Sequence, residues 1–154
     1  MNAPITYRPF EDKDYEVLVS WWRGHNSPPW PKVVLPRGLI AVGSGVDMAA
    51  SFLYLTPDKI AVIEFTTVNP ALARSRDSLA AVKGLFAALE EEARAAGCLA
   101  VITFVKPNGS EQHIVTKIGY ATSTDDCGHR LYAKPLRNQE NWHPPEGGVV
   151  QCQR

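Results

Sequence analysis

A chain of 154 residues with 45% hydrophobic and 21% charged residues has the size and composition of one ordinary globular domain, which excludes disordered and fibrous classes. Sixteen basic and sixteen acidic residues cancel, so the molecule as a whole exerts no strong pull on nucleic acid, although a local basic patch stays open. Cys98, Cys127 and Cys152 are odd in number and lack metal-ligand spacing, which argues against a disulfide framework and a zinc site. Apolar runs are strand-length and broken by Gly, Pro or charge, so no membrane span is expected. The N-terminus lacks the basic start and apolar stretch of a signal peptide, which makes the cytoplasm the expected location.

In chain order, residues 4–8 read as a short strand, and Glu11-Asp12-Lys13-Asp14 supplies the acidic first turn of a helix. Tyr15, Leu18, Val19 and Trp22 fall on one helical stripe, with Trp21 off it, and Gly24 stops the helix. A proline-stiffened loop, His25 to Pro31, follows. Three strands are then predicted at 38–42, 47–56 and 60–68, joined by turns short enough to demand antiparallel neighbours. Between Asp77 and Ala96 the residues Leu79, Val82, Leu85, Phe86, Leu89 and Ala93 form one apolar helical face, with Glu90 and Arg94 expected as a pair on the outer face.

Gly97 ends that helix, and 99–105 is an apolar run suited to a central strand, with Cys98 before it as a small buried residue. A short helix from Ser110 to Ile118, closed by Gly119, and a last strand at 129–134 complete the predicted domain, residues 1–134. From 135 to 154 apolar periodicity fades, and a tail that is mobile or docked on a partner is expected.

The order strand, helix, three-strand meander, long helix, strand, short helix, strand resembles that of the GNAT (GCN5-related N-acetyltransferase) superfamily. Val68-Asn69-Pro70 looks like that family's Val-x-Pro at the end of its fourth strand, Leu89 to Cys98 resembles the end of its long helix, and Asn108 through Gly119-Tyr120 resembles its Asn-x-x-Ala…Gly-Phe segment. The resemblance covers residues 4–134, roughly nine-tenths of the chain. It implies an α+β fold with a mixed central sheet of about six strands, an antiparallel meander and flanking helices. Trp21-Trp22-Arg23-Gly24-His25, Pro28-Pro29 and Leu35-Pro36-x-Gly38-Leu39 further resemble short bacteriophage-encoded GNAT-like proteins, a type that includes Mom-like enzymes of DNA modification.

The family resemblance implies acetyl-CoA (coenzyme A) as cofactor. Family members wrap its pyrophosphate with an Arg/Gln-x-x-Gly-x-Gly/Ala loop, whose glycines let successive N–H groups approach an anion. The corresponding stretch is Ala73 to Ala81, where both glycines are missing and Arg76-x-x-Leu79-x-Ala81 keeps the Arg and the final small residue. Arg74 and Arg76 then supply charge, with the Ser75 and Ser78 hydroxyls supplementing the amides. The alternative is that Ser75 or Asp77 caps a helix and the arginines are solvated. Asn108, from the third motif, joins the cofactor side by resemblance.

Family members splay the fourth and fifth strands at a bulge, so that strand backbone holds the pantetheine arm and aims an N–H at the thioester carbonyl. Here that role falls on Thr67 and Val68, and such a donor stabilises charge that develops only in the transition state. Glu64 interrupts an apolar strand four residues before Val68, where the family often carries a catalytic Glu. Partial burial would raise its pKa from about 4.3 towards neutrality, as a general base requires. Pairing with a neighbouring Lys or Arg is the structural alternative. The family's usual general acid, a Tyr five residues before the aromatic of Gly-Phe, corresponds to Val115 and is absent, which leaves His113 as a candidate facing solvent or the site, and Tyr132 in reserve.

The acceptor side of the family's site is built from the first helix and the loop after it. Trp21 and Trp30 are therefore candidates to stack on a planar group, with Arg23, His25 and Lys32 as cations, or else the tryptophans simply cover the sheet. Three functions stand: an acetyltransferase acting on an unidentified amine, a Mom-like DNA base-modifying enzyme, or an inactive scaffold binding a host protein. DNA and a second copy of the chain stay open as partners.

Overall fold

The computed structural model describes residues 4–105, 115–122 and 130–136. The chain divides into two compact units, Met1–Tyr54 with Ile63–Glu92, and Leu55–Val62 with Ala93–Arg154.

In the first unit β1 (Thr6–Pro9) runs antiparallel to β2 (Arg37–Gly43), and β2 runs antiparallel to β3 (Val46–Leu55). Ser44 and Gly45 join β2 to β3 with φ values of 51° and 77°, the two positive values that a tight hairpin turn needs to match strand twist. The meander continues into β4 (Ile60–Val68).

Helix α1 (Tyr15–Gly24) buries Leu18, Val19, Trp21 and Trp22 in one cluster with Ile40, Ala50 and Phe52 of β2 and β3. Trp21 was expected off this stripe, yet it is only 5% exposed. The reason is geometric: Trp21 and Trp22 stand three and four residues after Leu18, and both positions face the core when the stripe is two residues wide. Helix α2 (Arg76–Ala95) follows the same rule, burying Ser78, Ala81, Val82, Leu85, Phe86, Leu89, Glu90 and Ala93. Glu90 therefore completes the buried stripe and does not lie on the outer face. Gly84 is required by packing, since a Cβ there would fall 1.6 Å from the Tyr7 hydroxyl.

In the second unit, Ile60–Val62 of β4 pair in parallel with Ala100–Ile102 of β5 (Ala100–Val105). Strand β5 pairs antiparallel with β7 (Arg130–Pro135), and β7 with β6 (Ala121–Thr122). The order is β1-β2-β3-β4-β5-β7-β6, a mixed sheet with flanking helices as expected, with the two-residue β6 as a seventh strand. Residues 115–117 are helical, and Gly119 turns the chain at φ 95°, in line with the end of the expected short helix. Cys98 is buried. Tyr132, opposite Thr103, is 1% exposed, and its hydroxyl has no hydrogen-bond partner among the described residues. Among the described residues, no helix is long and apolar enough to cross a membrane.

One ion-pair cluster ties β1 to the start of the helical segment and to β3. Arg8 donates to Asp14 at 2.7 and 3.0 Å and to Asp47 at 3.0 Å, and Asp14 also accepts the Glu11 amide at 2.8 Å. The Arg8 hydrogen bond holds the buried Asp14 carboxyl below its ordinary value of 3.8, against the opposing effect of burial. A carboxyl depressed by folding contributes stability that is fully present above its unfolded pKa and is lost as pH falls through the folded one. Thermal melts from neutral pH downward should show wild type losing stability below about pH 4 more steeply than Asp14→Asn, and Arg8→Ala should cost about 2 kcal/mol at pH 7.

Candidate functional site

Strand β4 is irregular at its centre. Phe65 has φ 56°, a left-handed value that a bulky side chain enters only under constraint from its surroundings. Its ring supplies the constraint, lying 4.8 Å from Trp30, 6.1 Å from Tyr54 and 6.4 Å from Phe52. Such a residue marks a bulge, which breaks strict alternation and redirects the backbone on either side. Glu64 precedes it, half-buried, two residues beyond the last β4 residue registered with β5. Burial, and to a smaller degree the Glu64 carboxylate, push the Tyr54 phenol above its ordinary value of 10.0, and this phenol donates to the Val34 carbonyl.

Beyond the bulge, Thr66 shares a 2.8 Å hydrogen bond with the buried Ser51, and Thr67 is 6% exposed. The Val68 carbonyl lies 2.7 Å from His25 Nε2. Asn69 is anchored three times: its amide donates to the Met48 carbonyl at 2.8 Å, its Nδ2 to the Asp47 carbonyl at 3.0 Å, and its Oδ1 accepts the Ala71 amide at 3.0 Å. Pro70 then rests on Gly24, where a Cβ would come within 2.6 Å of Pro70 Cγ.

The chain next makes a single 3-10 turn, Pro70–Leu72, and reaches α2 through Arg74. Arg74 has φ 71°, so the left-handed turn that glycine makes easily is made here by arginine. Ser75 begins the helix: its Oγ accepts the Ser78 amide at 2.9 Å, while its carbonyl accepts the Ser78 hydroxyl at 2.9 Å and the Leu79 amide at 3.3 Å. The two serines expected on the cofactor thus form the helix cap, and Ser78 is only 6% exposed. Arg74 stands immediately before Ser75, and Arg76 is the first residue of α2, where positive backbone charge concentrates.

Among the acceptor candidates, Trp30 is 45% exposed over Phe65, with its carbonyl accepting from Tyr15 at 2.9 Å. Arg23 and His25 are exposed at the end of α1, and Lys32 pairs with Asp12 at 2.8 Å. Trp21 is corrected: its buried ring has no face to present to an acceptor. Asn108 and His113 lie outside the described residues, and Val115 is buried. The structure therefore brings Glu64, Thr67, Val68, His25 and Trp30 to one strand end. It adds three residues that the sequence reading did not assign a role: Phe65, Tyr54 and Asn69. Only Asn69 carried a signal, as the first residue of an Asn-Pro turn.

No protein-family model matches the sequence, and no curated protein matches it significantly. Solved structures do match. The ribosomal-protein-S18-alanine N-acetyltransferase of Escherichia coli is 14% identical with a TM-score of 0.69, covering 91% of this chain and 99% of its own. The chain has the GNAT fold. An acetyltransferase of the GNAT family from Staphylococcus aureus is similar at a TM-score of 0.67 and 10% identity, covering 87% of this chain and 100% of its own. The PaiA N-acetyltransferase of Thermoplasma acidophilum, solved in complex with coenzyme A, is similar at 0.65 and 13%, covering 86% and 99%. At these identities the likeness is one of fold.

The cap and the arginine turn make opposite predictions. Ser75→Ala should lower stability by about 1 kcal/mol in denaturant melts. Arg74→Gly should leave the melting temperature unchanged or raise it, because glycine occupies positive φ without the steric penalty of a Cβ.

Proposed function

We propose that this chain is an acetyl-CoA-dependent N-acyltransferase acting on an amine by direct attack. The observation that supports the reading is the left-handed Phe65 in β4, which directly follows the half-buried Glu64 and precedes Thr67 and Val68 by two and three residues, in a GNAT fold. Acetyl-CoA supplies an acyl group already activated as a thioester. Arg74 and Arg76, at the start of α2, suit its anionic diphosphate, and the Ser75 cap holds that helix end in place. Asp77 in the first turn opposes an anion, so the arginine charges are what make the fit.

Glu64 accepts the proton that the amine sheds as its nitrogen attacks, and the C–S bond breaks as the C–N bond forms. The backbone N–H near Val68 donates to the carbonyl oxygen as negative charge develops there. With Val115 buried in place of a tyrosine, water protonates the departing thiolate.

A small-molecule or protein amine is the favoured acceptor over a DNA base. Lys32 is paired with Asp12 at 2.8 Å, so the loop after α1 offers a phosphate backbone less free positive charge than its sequence suggests. A Mom-like activity would instead appear as salt-sensitive duplex binding, and an inactive scaffold as no cofactor affinity. Calorimetry with acetyl-CoA is the deciding measurement: binding in the micromolar to submillimolar range is expected, and no heat at millimolar ligand would sink the enzyme reading. Glu64→Gln should leave the dissociation constant unchanged while slowing transfer to a responsive amine by about 10²–10⁴-fold.

A further inference from the structure

The peptide unit joining Val68 to Asn69 is held at both poles. Its carbonyl oxygen lies 2.7 Å from His25 Nε2, and its N–H donates to the Met48 carbonyl at 2.8 Å. A carbonyl can only accept, so the His25 ring carries its proton on Nε2 here. Two grips on opposite edges of one peptide plane leave it little freedom to rotate. Rotation of that plane changes ψ of Val68, one of the two torsions that relate it to the preceding peptide, so the clamp narrows the directions open to the Val68 amide on the other side of the Cα. That amide belongs to the backbone which, under the reading above, faces the thioester carbonyl.

The parts that place the ring are local and specific. His25 is the C-cap of α1, with its own amide shared among the last helical carbonyls, and Asn26 at φ 56° turns the chain back so that the Ser27 amide reaches the Trp22 carbonyl at 2.9 Å. Gly24 lets this helix end approach the strand end, because a Cβ there would collide with Pro70. Asn69 supplies the opposing anchor through Asp47 and Met48 of β3. The helix end and the strand end are thus joined at a polar contact, His25 to Val68, and an apolar one, Gly24 to Pro70.

We infer that His25 is a positioning residue for the thioester-binding backbone: its Nε2–H holds the Val68–Asn69 peptide, and so restricts the aim of the Val68 amide. This assigns His25 to the backbone that handles the acyl group, where the sequence alone placed it with the acceptor. The inference rests on the acyltransferase reading. It differs from it in its predictions, because the clamp exists in the protein without ligand, whereas its consequence appears only on the bound acyl group.

The test uses NMR on the full chain with His25→Ala and His25→Leu, which remove the donor, and His25→Gln, whose side-chain amide restores one at similar reach. Without ligand, the Val68 carbonyl carbon should move upfield in the first two and return toward wild type in the third. An unmoved resonance overturns the clamp. With [1-¹³C]acetyl-CoA, wild type should shift the bound thioester carbonyl downfield from its free position, and His25→Ala and His25→Leu should lose much of that shift while affinity for coenzyme A itself stays unchanged. His25→Gln should recover it. A merely structural histidine would lower the melting temperature or weaken coenzyme A binding without selectively changing the carbonyl resonance. Wild type that binds acetyl-CoA and gives the same carbonyl shift as His25→Ala and His25→Leu overturns the inference alone. Wild type that fails to bind acetyl-CoA overturns the acyltransferase reading and this inference together.

Discussion

The site depends on a bulky residue held in left-handed backbone in the middle of a strand. For Phe65 that conformation costs about 1–3 kcal/mol and persists only when packing over-determines it. The rings of Trp30, Phe52 and Tyr54 provide that packing, and two of them come from β3 while the third comes from the loop after α1. Aromatic contacts of this kind contribute about 0.5–1.5 kcal/mol each beyond the area they bury, enough to offset the strain. The bulge is therefore a product of tertiary packing and would not form in an isolated strand.

Polar anchors extend the same logic to the rest of the strand end. Arg8 binds Asp14 and the Asp47 side chain, and the Asp47 carbonyl in turn receives Asn69. A continuous path of charge-assisted and amide hydrogen bonds thus runs from β1 through β3 to the turn that follows Val68. Rigid support of this kind is what a group needs if it is to act as a preorganised donor, since a donor that must reorient during the reaction gives back much of its advantage.

The parts of the fold that repeat were readable from letters. Helix α2 spans Arg76–Ala95 against an expectation of 77–96, because apolar residues recur at helical period over five turns. Strand β6 has two residues, too few for any alternation to show. Trp21 and Glu90 were misplaced for one shared reason: the buried stripe of each helix is wider than a single row of contacts suggests. In the candidate site, Glu64 stood out as the one charged residue in the sequence of an apolar strand. Phe65 was not, because no residue type other than glycine, asparagine or aspartate advertises positive φ. His25 was singled out as a cation near the acceptor, and its partner, a backbone carbonyl forty-three positions away, leaves no trace in sequence.

Arg74 shows a different kind of constraint at the start of α2. Every arginine codon lies one base change from a glycine codon, so the easier backbone and the positive charge are separated by a single nucleotide. The two properties exclude each other at this position, since only a side chain can carry the charge and only its absence removes the strain at φ 71°. The loop therefore stands at one end of a mutational see-saw, with local comfort given up for charge beside a helix N-terminus.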